Sequence, residues 1–418
     1  MSRPLNRWWI ALAGTGIQIC LGSVYAWSFF QKLLASQYGW SQSQVAWTFS
    51  TAICFLGLAA AAGGALLPRC GPRLLAMTGG LLFGLGYLLA AWALQAKSLF
   101  GLYLGYGVIG GIGLGLGYVT PVATVSKWFP DKKGLATGMV IMGFGVGALV
   151  MSKVLAPVLM RWSGDQVALV FAGLGVFFIV TVPLLAWWMR NPETAVPAAA
   201  ATVAAAPRSG WFGGAFLLMW VVFFFNIVAG IAIIPFQSPL LQDLILAKGG
   251  TSAAKAAAAG ATLIAISSLF NGAGRMLWGW VSDHIGRTRT FRFLLGSQVL
   301  VFVALTQTSS PWLFSALVCY VLLCYGGGFG TMPSFVHDRF GGPVMPVAYG
   351  AMLTAWSAGG IVGPQLVAYL KDQAPARASF WAFAITAGVL LLGVLISLAL
   401  KDKPDQPLNP NTSRIDSR

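Results

Sequence analysis

The sequence predicts an all-α integral membrane protein with twelve transmembrane helices in two pseudo-symmetric six-helix bundles. Three observations predict this fold class. The 418 residues are 57% hydrophobic and only 9% charged, whereas soluble domains are about one-quarter charged. Long apolar runs recur along the whole chain. A stretch rich in alanine and proline divides these runs into two sets of six.

The apolar runs have the length that a bilayer requires, which is about 20 residues for one helix. Short segments with charged residues, glycine or proline separate them. We therefore expect twelve spans, at residues 8–32, 43–67, 74–95, 99–126, 134–158, 166–189, 211–236, 257–281, 292–309, 312–336, 345–370 and 378–400.

The basic residues indicate the orientation of these spans. With an even number of spans both termini share one face, and 17 of the 26 lysines and arginines then lie on that face and 8 on the other. Since basic residues are enriched in cytoplasmic loops, we expect both termini in the cytoplasm. The net charge of +16 thus reflects contact with a lipid bilayer, and no nucleic-acid partner is expected.

The start of the chain and its cysteines exclude two alternatives. The first apolar run follows a charged start, as in a secretory signal peptide, but it is too long and has no clear small-residue cleavage site. We therefore expect an uncleaved first helix. The five cysteines lie within spans or in one short loop, so no disulfide framework is implied.

The segment NPETAVPAAAATVAAAPRSG is expected to link two similar domains. The sequence GALLPRCGPR after span two aligns with GWVSDHIGRTR after span eight, which pairs Gly64 with Gly279 and Gly71 with Gly286. A two-fold repeat of six spans is typical of transporters, with the binding site near the midplane between the halves. We expect an N-terminal bundle over residues 1–190, a cytoplasmic linker over 191–210, a C-terminal bundle over 211–400 and a cytoplasmic tail over 401–418.

Arg275 lies in an otherwise apolar span, where insertion scales assign an arginine a cost of about 2.5 to 3.5 kcal/mol. Ser267, Asn271 and Arg275 are spaced i, i+4, i+8 and share one helix face. No Asp or Glu lies within a predicted span, so a substrate anion is the expected partner, and the arginine fork suits a carboxylate. Alternatively, Arg275 snorkels to the membrane surface, and Asn271 bonds a neighbouring helix instead of a substrate hydroxyl.

Further polar and aromatic side chains are candidates for the same site. Tyr118 follows the glycine run of span four, and Tyr325 precedes the run GGGFG of span ten, which contains Phe329. Glycine runs allow close approach of helices. Gln18 and Tyr25 are seven residues apart and share a face of span one. For the tyrosines the alternative is packing at the membrane interface or against lipid.

The loop Gly279-x-x-x-Asp283-x-x-Gly286-Arg287 resembles the loop motif of the major facilitator superfamily, and twelve spans with a long central linker match its layout. The resemblance implies the major facilitator fold. An aspartate and an arginine at helix ends can pair across the cytoplasmic mouth. The first copy has Pro68 where the second has Asp283, so this pairing is expected to be weaker in the N-terminal half. The expected gate motif comprises Gly279, Asp283, Gly286, Arg287, Arg69 and Arg73.

Three segments, GSVYAWSFF from Gly22, YGWSQSQVAWTFS from Tyr38 and WFPDKKGLATGMVIMGFGVGA from Trp128, resemble the monocarboxylate transporter family and the bacterial oxalate/formate antiporters. In that family an arginine on span eight binds the substrate carboxylate, and the matching position here is Arg275. The resemblance therefore implies that Arg275 is the main substrate-binding residue.

The sequence also departs from these relatives. The oxalate carriers have a lysine on span eleven, where this chain has Trp356. The animal carriers have an aspartate four residues before the arginine and a lysine on span one, whereas this chain has Asn271 and no lysine before Lys32. One cation implies a substrate with one carboxylate, and the proton relay of the animal carriers does not transfer unchanged.

These patterns favour proton symport of a small monocarboxylate such as lactate, and the alternative is a carboxylate/carboxylate exchanger. No G-x-x-x-x-G-K-[ST] loop is present, so ATP-driven transport is not expected. His337 is the candidate proton carrier, because histidine is the residue type whose charge ordinarily changes between pH 5 and 8, and a solvated loop histidine is the alternative. The chain lacks a nucleophile with a base or a metal cluster, so we expect no enzyme activity, cofactor or metal. The repeat disfavours a channel, and a monomer is expected.

Overall fold

The computed structural model describes residues 6–129, 133–192, 212–341 and 345–400, and every regular element in these ranges is helical. Eleven of the helices in these ranges are long and apolar enough to cross a membrane. The predicted all-α membrane fold class is therefore confirmed. Residues 193–210 of the expected linker and the expected tail 401–418 lie outside the described ranges.

The helices form two consecutive sets. The N-terminal half comprises α1 Arg7–Tyr38, α2 Gln42–Cys70, α3 Pro72–Gln95, α4 Leu99–Trp128, α5 Ala136–Ser163 and α6 Val167–Ala186. The C-terminal half comprises α7 Gly214–Ile233, α8 Gln237–Ala247, α9 Ala253–Ile285, α10 Arg287–Gln307, α11 Pro311–Phe340, α12 Met345–Met352, α13 Thr354–Gln373 and α14 Ala378–Ser397. We call the face where α1 begins and α14 ends the terminal face, and the other the opposite face.

Corresponding helices of the two halves begin in the same way. Ser41 and Ser252 cap α2 and α9, and Ser98 and Ser310 cap α4 and α11. In each case the serine hydroxyl accepts a hydrogen bond from a backbone N–H of the first turn, which is the interaction that favours serine at this position. The internal repeat therefore extends to the local chemistry of helix initiation.

The turns that follow α2 and α9 have the same backbone conformation. Gly71 has φ +75° and Gly286 has φ +91°, a region that side chains other than glycine rarely adopt. These are the two glycines that the sequence alignment pairs. Each turn lets the next helix start at once and places both loops on the terminal face.

One predicted span is interrupted and another ends before its predicted last residue. The predicted span 345–370 is wrong as one helix, because α12 ends at Met352 and α13 starts at Thr354. Leu353 N–H donates to both Tyr349 O and Gly350 O at 3.1 Å, which forms a tight turn. The predicted span 211–236 likewise ends early, since α7 stops at Ile233 and α8 follows from Gln237. Pro235, which lacks the N–H that a continuous helix needs, lies in that break.

The two halves meet along two helix pairs, α2 with α13 and α5 with α9, and α1 contacts α8 near the opposite face. The second pair crosses at Gly145 and Gly272, where an added Cβ on Gly145 would lie 2.6 Å from Gly272 Cα. This contact requires glycine because backbone lies directly against backbone. It brings α9, which carries Arg275, close to the N-terminal half.

Candidate functional site

Arg275 lies deep in the bundle. Helix α9 extends to Ile285, so Arg275 is ten residues from its end, about 15 Å along the axis. This is half of a hydrocarbon core of about 30 Å, and it exceeds the seven residues expected from the sequence. Only 3% of Arg275 is exposed. Its guanidinium therefore does not reach the membrane surface, as snorkelling would require.

Three aromatic side chains contact this guanidinium, and Trp356 packs against all three. We call these four residues the aromatic cage: Tyr118, Phe144, Phe329 and Trp356. The Cζ atom of Arg275 lies 5.5 Å from the ring centroid of Phe144 and 5.1 Å from that of Phe329, within cation–π range. The Trp356 ring centroid is 4.6 Å from that of Phe329 and 5.3 Å from that of Tyr118. The cage joins α4 and α5 of one half to α11 and α13 of the other.

One edge of the Arg275 guanidinium has no protein partner. Nη1 donates to Tyr118 Oη at 3.4 Å, whereas Nε and Nη2 have no hydrogen-bond partner among the described residues. No salt bridge links Arg275 to an acidic side chain within those ranges. Nε and Nη2 lie on the same edge of the guanidinium, which is the geometry that binds two oxygens of one carboxylate.

The other predicted residues of span one also lie at this level. Tyr25 Oη and Tyr325 Oη are 2.8 Å apart and join the two halves by a hydrogen bond. Gln18 Nε2 donates to the backbone oxygen of Tyr118 at 3.0 Å, so Gln18 orients α4 from within its own half. The structure therefore brings the predicted tyrosines together, and it places Gln18 behind Tyr118.

The predicted polar stripe of α9 is fully buried. Ser267, Asn271 and Arg275 are exposed by 1%, 1% and 3%. Neither side-chain atom of Asn271 has a hydrogen-bond partner among the described residues. Leaving such atoms unpaired in a dry interior costs about 1 to 3 kcal/mol each. Asn271 therefore has a donor and an acceptor available one helical turn from Arg275.

His337 lies away from this cluster. It is on α11, eight residues beyond Phe329, or about 12 Å along the axis, and 62% of its side chain is exposed. Its Nδ1 is 3.7 Å from a carboxylate oxygen of Asp338. The geometry thus gives His337 no contact with Arg275, and its role in proton coupling stays a prediction.

The gate motif forms ion pairs in the C-terminal half. Arg287 pairs with Asp283 and, at 3.0 Å, with Asp338, so it links the start of α10 to the ends of α9 and α11. In the N-terminal half, Pro68 lies within α2, and Arg73 instead stacks its guanidinium 4.5 Å from the Trp187 ring centroid. Arg69 is exposed. Helices α9 and α11 approach each other at Gly279, where an added Cβ would lie 3.5 Å from the backbone oxygen of Gly330.

On the opposite face two aspartates of the C-terminal half hold the N-terminal half, and we call them the aspartate latch. Asp243 accepts from Lys32 and from Lys371, both at 3.0 Å. Asp372 accepts from the backbone N–H groups of Gln42 and Ser43 at 2.9 Å, and from the Ser43 hydroxyl. Asp372 therefore caps helix α2 from the other half, where an anion also complements the helix dipole.

The latch is charged at neutral pH. Burial alone would raise the pKa of Asp243, but the charges of Lys371 and Lys32 outweigh it and lower that pKa below its usual value. At Asp372 burial again acts to raise the pKa, and the hydrogen bonds from Ser43 and Gln42 lower it. Because these pKa values are lowered when the latch is closed, the charged carboxylates stabilise the closed arrangement at any pH above the ordinary aspartate pKa of about 3.9. This stabilisation is lost only as the pH falls through the lowered pKa.

We expect Asp243→Asn to open the opposite face more often, because it removes the charge shared by two lysines. Partly exposed ion pairs contribute about 0.2 to 1 kcal/mol each, so labelling of a buried cysteine should accelerate about two- to fivefold. The measurement is the labelling rate of Ile264→Cys, in a background without native cysteines, by a membrane-impermeant thiol reagent. Asp165→Asn, an exposed aspartate on the same face, is the control. Equal rates in the two variants would contradict a latch.

Sequence reasoning missed two parts of this region. Phe144 was not among the predicted site residues, although it lies between two glycines in the segment GFGVG of α5. The aspartate latch was also missed, because the two halves approach there through residues more than 200 positions apart, as in Lys32 and Asp243. Trp356 was predicted only as the replacement of a lysine, and it proves to be a wall of the cage.

A buried cation between two helical halves, with an ionic contact closing one face, defines an integral membrane transport protein. The chain belongs to the Major Facilitator Superfamily, whose family model matches residues 12–364. It is therefore a multi-pass transporter of this superfamily. The relatives named below are transporters as well.

Two groups of relatives are similar to the chain over most of its length. The oxalate:formate antiporter of Oxalobacter formigenes is 27% identical over 389 residues, covering 91% of this chain and 89% of the antiporter. Monocarboxylate transporter 13 of Rattus norvegicus is 27% identical over 380 residues, covering 88% of this chain and 83% of that transporter. The chain is thus related to both groups, as the sequence motifs indicate.

A solved structure supports the fold. A bacterial homologue of the human lysosomal transporter Spinster, in an inward-facing and occupied conformation, superposes with a TM-score of 0.67. The match covers 95% of this chain and 97% of the homologue at 16% sequence identity. At this identity the likeness shows a common fold alone.

Proposed function

We propose that the protein carries small monocarboxylates, with lactate as the representative substrate, by alternating access. The observation that supports this most directly is the edge of Arg275 formed by Nε and Nη2, which is buried and unpaired among the described residues. A substrate carboxylate bound to both atoms would neutralise the positive charge at the centre of the bundle. The resulting pair is electrically neutral and therefore far less costly at membrane depth than the arginine alone.

The aromatic cage supports a substrate with a single carboxylate. Trp356 is fully buried and contacts Phe329 and Tyr118. It presents an uncharged indole ring where a second carboxylate would need a cation. The cage thus supplies apolar contact for a short carbon chain and one cation for one anion.

Alternating access requires the halves to separate on one face at a time. On the opposite face the halves are joined by polar contacts, which include the aspartate latch and a bond from Lys153 to Thr262 at 2.7 Å. Towards the terminal face the two halves approach each other closely at small residues, such as Gly350 and Ala61. In the proposed cycle the latch breaks to admit substrate from the opposite face, and the small-residue contacts part to release it.

The proposed orientation places the terminal face in the cytoplasm of a bacterial inner membrane, with two domains over residues 1–190 and 211–400. The excess of basic residues on that face supports it. A reporter enzyme fused after Arg418 should show cytoplasmic activity. Activity on the external side of the membrane would reverse this orientation.

We propose proton symport as the leading mode of coupling and carboxylate exchange as the second. Symport of an anion with one proton moves no net charge. In this scheme His337 is the candidate group that binds the proton. Exchange is favoured by a specific observation, the lack of an acidic partner for Arg275 within the described ranges. The relationship to the oxalate:formate antiporter also favours exchange.

Uptake of labelled lactate into proteoliposomes tests the function and separates the two modes. Symport predicts that an inward proton gradient drives accumulation in vesicles that contain no carboxylate. Exchange predicts uptake only into vesicles preloaded with a carboxylate, without dependence on the gradient. Absence of lactate, pyruvate, acetate and formate uptake under both conditions would refute the proposed substrate class.

A further inference from the structure

A small cavity lies beside the Arg275 site, towards the opposite face. Its volume is about 10 Å³, which accommodates one water-sized group. Its polar lining consists of Tyr25, Gln237, Ser267, Ser268 and Asn271, and the remaining lining residues are aliphatic or glycine. The cavity thus lies between the two halves, with its polar atoms concentrated on α8 and α9.

The cavity is adjacent to the position where a carboxylate would bind. Helical side chains lean towards the helix N-terminus, so the Arg275 side chain extends towards Asn271, which lines the cavity. Phe144 contacts the guanidinium at 5.5 Å, and the next residue, Gly145, lines the cavity. A substrate held at Arg275 therefore has its nearest substituent directed to this space.

Gln237 gives the cavity an oriented amide group. The residue is 2% exposed, and its Oε1 accepts a hydrogen bond from the Ser267 hydroxyl at 2.7 Å. This bond leaves Nε2 as the group available to a ligand, since its contact with Ile234 O is long at 3.5 Å. Asn271 adds an unpaired donor and an unpaired acceptor. The cavity can thus donate to a keto oxygen, and it can donate to and accept from a hydroxyl.

We propose that this cavity binds the oxygen substituent on C2 of the substrate and that Gln237 is a specificity-determining residue. The inference rests on the proposed function and narrows it to 2-hydroxy and 2-oxo monocarboxylates. An acid with hydrogen at C2 leaves the Asn271 amide and one N–H of Gln237 without a partner, which a polar site penalises strongly. The volume of about 10 Å³ matches a substituent of one oxygen. Lactate and pyruvate are thus preferred to propionate, which has the same carbon chain without the oxygen.

The test compares lactate with propionate in proteoliposomes that contain the full chain. We expect wild-type protein to take up lactate about 5- to 100-fold more efficiently than propionate, because unpaired buried polar groups are costly. Gln237→Leu keeps a similar volume and removes the amide, so lactate uptake should fall towards that of propionate while propionate uptake changes little. Gln242→Leu is the matched control, since Gln242 lies on the same helix and bonds Ser238 instead.

The outcomes separate this inference from the proposed function. If wild-type protein takes up none of lactate, propionate, pyruvate, acetate and formate, the proposed function itself is refuted. Equal uptake of both acids by wild type, or an unchanged ratio in Gln237→Leu, overturns the role of the cavity and leaves Arg275 as a carboxylate site. If Gln237→Leu fails to fold, Ser267→Ala replaces it. This variant removes the hydroxyl that orients Gln237 and should lower the lactate-to-propionate ratio, and an unchanged ratio overturns the inference.

Discussion

Arg275→Lys is expected to abolish most lactate uptake although it retains the positive charge. Lysine has no planar pair of donors and cannot reproduce the two-point contact of Nε and Nη2 with a carboxylate. It also loses the stacking of the guanidinium on Phe144 and Phe329. Removing the charge outright, as in Arg275→Gln, costs about 2 to 5 kcal/mol, so uptake efficiency of that variant should fall about 30- to 5,000-fold at one order of magnitude per 1.4 kcal/mol. Arg275→Lys should lose most of its uptake through the lost two-point geometry and stacking alone.

The measurement is initial lactate uptake at matched amounts of protein in the membrane, with Arg275→Gln as a second variant. Neither variant should recover when the substrate concentration is raised modestly. Arg161→Lys, an exposed position on the opposite face, controls for the substitution itself. Uptake close to wild type in Arg275→Lys would remove Arg275 from the substrate site and with it the main support for the proposed function.

Oxalate is expected to compete poorly for lactate uptake. Its second carboxylate would lie against the aromatic cage, where Trp356 supplies no charge. A buried carboxylate without a cation carries a desolvation cost of several kcal/mol. Half-inhibition by oxalate should therefore require at least about 100-fold more ligand than half-inhibition by unlabelled lactate, since 2.8 kcal/mol corresponds to two orders of magnitude.

Competition against a fixed concentration of labelled lactate measures this difference. Pyruvate serves as the control ligand, because it has one carboxylate and a similar size. Inhibition by oxalate at the same concentration as lactate would show that the site accepts a second negative charge. It would also favour the oxalate/formate type of exchange over the proposed monocarboxylate substrate.

The fold was predictable because a bilayer restricts the chain to long apolar helices. Hydropathy predicted nearly all the spans, and the two glycines paired in the sequence, Gly71 and Gly286, both form turns with positive φ. Hydropathy could not locate the break at Leu353, since PVAYGAMLTAWSAGG is apolar on both sides of it. That break depends on local hydrogen bonds of Leu353 and Thr354, which composition does not specify.

The candidate site was predictable where a residue differs clearly in polarity or size from the rest of its span. Arg275 and Asn271 stand out in an apolar helix, and Tyr118 and Tyr325 stand out beside glycine runs. Phe144 and Gln237 do not, because phenylalanine is common in membrane helices and Gln237 follows a proline near a predicted span end. Their proposed roles rest on contacts between residues that are distant in the sequence, such as Gln237 and Ser267. A local sequence pattern does not predict such contacts.

The dry surroundings of Arg275 also affect the half of the cycle in which no substrate is bound. The empty protein must carry an uncompensated positive charge through the closed arrangement, whereas the loaded protein passes through it as a neutral pair. When no proton accompanies the substrate, as in the exchange mode, the return of the empty protein should therefore be the slow step. It should respond to membrane potential, which acts on one full charge by about 2.3 kcal/mol per 100 mV. Lactate on the far side of the membrane would relieve this barrier. Labelled lactate should thus enter preloaded vesicles faster than empty ones, and equal rates would show that the bare arginine does not limit turnover.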